Sequence, residues 1–388
     1  MTEWIKHSII YHVLIDRFAG FSEEANAGKD TFCGGNLQAI EQKLDHIQNL
    51  GAGTLWLSPF YSTTSYHGYH ITDYSQVEPQ FGTLADLKNL IAACKLRNMR
   101  IIADVVPNHC SVQHPWFQQA QASKQSEYFS WFTFNEWPCR YLTFLDFPEL
   151  AKFNLQNPAT AEWFIENMVQ WARLGFDGFR IDHVVGLPDA FIQKLSEALK
   201  AINPAFVLIG EAWTEGMHYK HLKTLRLRGR YNYWKQGFKQ TDIQKHYIGL
   251  LDGVLDFGWR QLVLDHIQLA NTNPAKLEKL IDSYNHLYPA GFLLPRFLDN
   301  HDTSRLMYAC KQDETLYRKI LALLFKQNQP VIIYYGTEAG LTHQKPVRAG
   351  EAFSDLRARS LINWNIPTQP HTEFIKKVAS ERKMGKKQ

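Results

Sequence analysis

The stretch that decides the fold is Gly175-Phe-Asp-Gly-Phe-Arg-Ile-Asp-His-Val184. It reads as a short buried strand ending in polar groups. Apolar Phe179 and Ile181 alternate with Arg180 and Asp182. Alternate side chains of a strand point to opposite faces, so Arg180 and Asp182 share one face. A guanidinium two residues from a carboxylate favours the anion and fixes its rotamer. An ionised, oriented Asp at a strand end can act as a nucleophile. It can equally be half of a structural ion pair on a sheet edge.

Working outward, further apolar runs end in polar clusters. Ser8–Leu14 and Thr54–Pro59 read as strands, with helical spacing between them at Leu37, Ile40, Leu44, Ile47 and Leu50. Thr83 reads as the N-cap of a helix over Leu84–Arg97. Arg100–Val106 is a third strand, closed by Pro107-Asn108-His109. Residues 110–154 break the rhythm. They are aromatic and irregular, with Trp116, Trp131, Trp137 and Tyr141, and read as an inserted subdomain. Pro158–Leu174 and Ala190–Ile202 are helices that flank the opening strand. Ala205–Gly210 is a strand that ends at Glu211. Gly253–Phe257, Phe292–Leu298 and Pro330–Gly336 supply strands six to eight.

Strands alternating with helices suggest a parallel sheet closed as a (β/α)8 TIM barrel. In that fold the C-terminal strand ends converge on one face. Asp104, His109, Arg180, Asp182, Glu211, His301 and Asp302 all lie at or just past such ends. A doubly wound dinucleotide fold is disfavoured, since no Gly-rich loop of the required form follows a strand.

Carboxylates from different strand ends suit retaining glycoside hydrolysis, in which one attacks the anomeric carbon and another protonates the leaving oxygen. Arg180 beside Asp182 favours the anion. Burial behind Phe206–Gly210 would raise Glu211. Asp182 is therefore assigned as nucleophile and Glu211 as acid/base. Asp302 can bind sugar hydroxyls and stabilise an oxocarbenium-like state. His109 and His301 can donate hydrogen bonds, and Tyr69 offers a ring face.

The totals narrow the field. Lys+Arg 42 against Asp+Glu 38 gives a net charge of +4, too mild to imply nucleic acid or an anionic membrane as partner. No apolar run is long enough to predict a membrane span. The start, Met-Thr-Glu-Trp-Ile-Lys-His, lacks the pattern of a secretory signal. Five cysteines without metal-ligand spacing suit free thiols in a reducing compartment, and the expected location is cytoplasmic.

Asp104-Val-Val-Pro-Asn-His109, Gly178-Phe-Arg-Ile-Asp182, Gly210-Glu-Ala-Trp213 and Phe297-Leu-Asp-Asn-His-Asp302 resemble the four sequence regions of the α-amylase family of glycoside hydrolases, in the family's order. Tyr66-His-Gly-Tyr69, Leu150-Ala-Lys-Phe-Asn154 and Tyr334-Tyr-Gly-Thr-Glu338 resemble it too. The resemblance implies a barrel over 1–109 and 155–388 with domain B inserted over 110–154, after the third strand. It implies Asp182 as nucleophile, Glu211 as acid/base and Asp302 as transition-state stabiliser. Arg180, His109, His301, His67 and Tyr69 would line the subsite holding the attacked glucose, and Trp213 counts with them as substrate-binding. The implied activity is cleavage of α-1,4 bonds in malto-oligosaccharides or related α-glucans. Transglycosylase, cyclomaltodextrinase- or neopullulanase-like, and α-glucosidase activities are the alternatives.

Departures from the family pattern concern substrate and metal. Many starch-acting members carry Lys-His where this chain has Val185-Gly186. Gly34-Gly35-Asn36 and His70 stand where members often have Asp in place of Asn36 and His70. No cofactor is required by the chemistry. The resemblance implies calcium as an optional ion with Asn108 as its candidate ligand, since the family's calcium site often uses the matching Asn with acids of domain B; Asp146 is the sole Asp of the insert. Thr372–Lys386 reads as the last barrel helix, with no counterpart expected for the family's C-terminal β-sandwich. Nothing in the sequence fixes the oligomeric state.

Overall fold

A computed structural model describes residues 2–23, 28–213, 240–268, 274–348 and 351–385. Its centre is a seven-stranded, all-parallel sheet. The strands are β1 (Ile9–Val13), β2 (Thr54–Leu57), β3 (Arg100–Val105), β4 (Gly178–Ile181), β5 (Val207–Gly210), β6 (Gly253–Val254) and β7 (Val331–Tyr334). Their spatial order is β6-β5-β4-β3-β2-β1-β7. The strands are short and β-branched or aromatic in their interiors, as sequences buried on both faces tend to be.

The expected seventh strand behaves differently. Phe292–Leu298 forms no continuous ladder. Single parallel bridges join Leu293 to Gly253 on β6 and Arg296 to Val331 on β7. Pro295 has no N–H to donate, which breaks the ladder between these points. The segment nevertheless links the two edge strands, and Val254 N–H donates to Leu293 while Ile332 N–H donates to Arg296. The arrangement is a curled parallel sheet consistent with a TIM barrel.

Two apolar layers explain why the sheet curls. Ile10, Trp56, Ile102, Val207, Ile209, Leu255, Leu293, Phe297 and Ile332 form one buried cluster inside the curve. These residues occupy alternate positions of successive strands, as a filled barrel interior requires. The other face of each strand packs into a larger cluster shared with the helices.

Those helices include α1 (Leu84–Leu96), α2 (Pro158–Arg173), α3 (Asp189–Ile202), α4 (Glu314–Phe325) and α5 (Thr372–Met384). Thr83 caps α1 through a reciprocal box with Asp86. The helical pattern over 36–50 is realised as two short helices, Leu37–Gln42 and Leu44–Asn49, meeting at Lys43.

Residues 110–154 are more regular than their sequence suggested. They carry a helix, Pro115–Ala122, and contribute to a three-stranded antiparallel sheet of His109–Ser111, Thr143–Phe144 and Phe147–Lys152. An aromatic cluster around Trp116, Trp131, Phe132 and Phe153 fills the space beneath. Among the described residues the five cysteines form no disulfide, and no helix is long and apolar enough to cross a membrane.

Candidate active site

The register of the sheet sets the site. Arg180 on β4 pairs with Asp104 on β3 and with Ile209 on β5. One step past the ladder, Asp182 N–H donates to Val105 and Glu211 N–H donates to Ile181. Asp104, Asp182 and Glu211 therefore crowd around Arg180 at neighbouring strand ends. The Arg180 guanidinium reaches Asp104 at 2.7 Å, Asp182 at 2.9 Å and Glu211 at 2.6 Å. It is only 1 % exposed. Trp56 and Tyr69 present ring faces to it.

Each carboxylate has its own setting. Glu211 accepts a second hydrogen bond from the His183 N–H at 3.1 Å. His183 adopts a left-handed backbone, φ 42°, which turns the chain sharply after the strand. Asp104 accepts from the Tyr69 hydroxyl at 2.8 Å. Asp182 Oδ2 is buried without a hydrogen-bond partner among the described residues, leaving an open acceptor on the reactive candidate.

Asp302 stands apart from this trio. Its carboxylate pairs with His301 Nε2 at 3.0 Å and with Arg359 at 3.0 Å. Arg359 also donates to the His301 carbonyl and the Tyr66 hydroxyl, and pairs with Asp355. The His301 ring stacks on Tyr69, with centroids 5.3 Å apart and planes 8° apart. That contact joins the two halves of the cluster.

These surroundings set the proton affinities. Burial raises Asp182 well above the usual carboxylate range, and Glu211, Asp104 and Asp302 add to this against the pull of Arg180. Burial also raises Glu211 and Asp104, again opposed by Arg180. Asp302 runs the other way: burial pushes it up, but His301, Arg359 and Arg180 outweigh burial and hold it low. Arg180 does pull Asp182 toward the anion as its position in the strand suggests, but burial and the neighbouring acids act against it. One guanidinium is shared among three buried carboxylates, so its pull on each opposes the burial that raises them. His12, His67, His109 and His183 are all lowered, foremost by burial, and stay neutral.

The other expected residues sort clearly. His67 and Tyr69 lie beside each other in the loop after Tyr61–Thr63, and the Tyr69 N–H donates to His67 Nδ1 at 3.2 Å. His109 stacks on Phe144 of the antiparallel sheet, at 4.5 Å, and Phe144 meets His183 edge-on at 4.8 Å. Trp213 does not join the polar cluster. Its ring stacks on Phe257 at 4.8 Å. The Asn108 carboxamide oxygen accepts a hydrogen bond from the Lys152 ammonium. No group of three or more His, Cys, Asp or Glu side chains among the described residues is placed to hold a metal ion.

Several residues escaped sequence reading as site residues. Asp104 sits inside a matched block, but its role as a shared anchor of Arg180 and Tyr69 emerges only from the register. Arg359 lies beyond the last strand with no periodic signal around it. His12, on β1, stacks on Trp56 at 3.7 Å and meets His301 edge-on at 5.2 Å.

A curled β/α sheet with acids gathered at its C-terminal strand ends defines a catalytic domain of the TIM-barrel class. The chain belongs to the α-amylase family: the family described as "Alpha amylase, catalytic domain" matches residues 12–384. Members of that family are glycoside hydrolases. Alpha-amylase 2 of Dictyoglomus thermophilum is 33% identical over 385 residues, covering 98% of this chain and 64% of the relative. Maltogenic alpha-amylase of Bacillus acidopullulyticus is 27% identical over 403 residues, covering 97% and 62%. The chain thus spans a little under two thirds of the length of these relatives. Among solved structures, the cyclic alpha-maltosyl-(1-->6)-maltose hydrolase of Arthrobacter globiformis aligns with a TM-score of 0.80 at 25% identity, over 98% of this chain and 83% of that one.

Proposed function

We propose that this chain is a retaining glycosidase that cleaves α-1,4-glucosidic bonds of malto-oligosaccharides by double displacement. The observation that carries the reading is the single guanidinium of Arg180 holding Asp182 and Glu211 at adjacent strand ends. Retaining enzymes need two carboxyls about 5–5.5 Å apart, and attachment to one guanidinium suits that close spacing.

In this reading Asp182 Oδ2, free of other hydrogen bonds, attacks the anomeric carbon. Glu211 delivers its proton to the leaving oxygen and then deprotonates the incoming water. Asp302, held low in pKa by His301 and Arg359, stays anionic and stabilises the oxocarbenium-like transition state. Substrate entry resolves the crowding around Arg180. Once Asp182 is bonded to the sugar its charge is gone, and Arg180 serves the remaining acids. Tyr69, stacked with His301, offers its ring to the glucose bound there. His109 and His67 supply hydrogen bonds to its hydroxyls. Residues 110–154 form domain B, which lines one wall through Phe144, and Phe292–Leu298 fills the remaining strand place, between β6 and β7. The working location is the cytoplasm.

A second reading has its own support. Val185-Gly186 replaces the Lys-His of starch-acting members, and the similar proteins include Neopullulanase 2 of Thermoactinomyces vulgaris and a cyclomaltodextrinase of a Bacillus species. Short or cyclic glucans are therefore the alternative substrates.

The test is a time course on maltoheptaose and on β-cyclodextrin, with product anomers followed by NMR. The expected first product is the α-anomer, and Asp182→Asn and Glu211→Gln each lower turnover by at least about 10³-fold. A β-anomer as first product, or full activity in either variant, overturns the assignment. Faster opening of the cyclodextrin than of maltoheptaose selects the second reading.

A further inference from the structure

The loop after β4 is tied to the antiparallel sheet through a buried cation of the chain's own. Lys152, the last residue of the Phe147–Lys152 strand, is 8 % exposed. Its ammonium donates to the Asn108 carboxamide oxygen and to the Gly186 carbonyl, the latter at 2.6 Å. Asn108 is 1 % exposed and follows β3, so the lysine joins three separate stretches of chain at one point. A buried ammonium persists only where oxygen acceptors replace its water.

Gly186 makes that approach feasible. A Cβ at this position would fall 2.2 Å from Asn108 Oδ1 and 2.9 Å from Lys152 Nζ. A side chain there would occupy the space in which the lysine and the asparagine meet. The departure at Gly186 and the presence of Lys152 are therefore two parts of one device. A divalent ion at the same oxygens would face the ammonium at close range and would lack the six to eight oxygen ligands calcium takes.

The lysine also reaches the chemistry indirectly. The Gly186 N–H donates to the His183 carbonyl at 2.9 Å, closing the short turn. The His183 N–H in turn donates to Glu211 at 3.1 Å. Holding Gly186 fixes the turn that aims this N–H.

We propose that Lys152 is a built-in cation. It cross-links the insert to the turn after β4 in place of a calcium ion, and it is a positioning residue for Glu211. The second half rests on the acid/base reading given above; the first half does not require activity on any glucan.

The test combines melting, calcium titration and kinetics on the intact chain. For the wild type, excess EDTA and millimolar calcium each leave the melting midpoint unmoved, and calorimetric titration with calcium gives no binding isotherm. Lys152→Met lowers the midpoint by about 3–6 °C. At temperatures well below melting it lowers kcat on maltoheptaose about 10- to 100-fold with KM little changed, which a merely structural loss would not do. Gly186→Ala wedges the same contact from the other side and gives the same kinetic signature should Lys152→Met fail to fold. A chelator-sensitive midpoint restored by calcium, or wild-type melting in Lys152→Met, overturns the built-in cation. Unchanged kcat in a folded variant overturns the positioning role alone.

Discussion

Replacing Arg180 with lysine separates charge from geometry at the centre of the site. The wild-type guanidinium bonds Asp104, Asp182 and Glu211 within 2.6–2.9 Å. A lysine keeps one positive charge but has no planar fork with which to bridge all of them. At least two charge-assisted bonds are lost, each worth about 1.5–3 kcal/mol, so the gross loss is roughly 3–6 kcal/mol. Part returns because the stranded acids bind protons, at about 1.4 kcal/mol per pKa unit. A net destabilisation of roughly 2–4 kcal/mol remains. The direction with pH is fixed. Arg180 opposes the burial that raises Asp182, Glu211 and Asp104, so loosening it raises all of them further. On the proposed mechanism Asp182 reacts as the anion, and the acid limb of kcat/KM therefore moves to higher pH. The alkaline limb follows as Glu211 rises. Carboxyls whose folded pKa exceeds the unfolded value stabilise the fold while protonated, and that contribution fades as pH rises through the folded pKa. Arg180→Lys should accordingly melt progressively earlier than wild type as pH is raised from weakly acidic to alkaline. The assay is kcat/KM on a chromogenic maltoside across pH, with melting midpoints in the same buffers. The expected result is a loss of at least about 100-fold at the wild-type optimum and an optimum displaced to alkaline pH. An optimum that stays put or moves to acid refutes the shared-guanidinium account.

Other perturbations address the rest of the cluster. Arg359→Leu strips Asp302 of one of its cationic partners and should raise its pKa; we expect kcat/KM to fall about 10- to 100-fold, most steeply on the acid side, as a pH–rate profile will show. Asp302→Asn preserves shape but removes the anion that His301 and Arg359 hold low in pKa, and should lower kcat by about 10²–10⁴-fold and also lower the melting midpoint at neutral pH. Phe144→Ala opens space beside His109 and His183 and should raise KM for maltoheptaose more than it lowers kcat, measured by initial rates.

Much of this site could be read from strand alternation. Arg180 and Asp182 were placed on one face by a period of two, and the interior cluster obeys the same parity. Glu211 and Asp302 followed from the positions of apolar runs. What could not be read depended on distances across the chain. Lys152 and Asn108 are 44 residues apart, and neither carries a local pattern that announces the other. Arg359 reaches Asp302 across 57 residues from a segment without periodicity. Phe292–Leu298 has the composition of a strand, yet Pro295 limits it to isolated bridges. The upward push on Asp182 was not legible for a related reason: the pairing of Arg180 with Asp182 is visible in sequence, but the competition from Asp104 and Glu211 is a property of the assembled cluster.

The grouping of Asp104, Asp182, Glu211 and Asp302 around Arg180 and Arg359 has a practical outcome for anyone handling the protein. Acids outnumber guanidiniums there, so on the proposed function the site should favour small organic cations. Protonated amines with hydroxyl groups combine that charge with a sugar-like surface. Buffers built on amino alcohols should compete with substrate, and more strongly as rising pH empties the cluster of its protons while the amine stays charged. Rates measured in such buffers will understate activity, and basic iminosugars will bind more tightly than neutral sugars of the same shape.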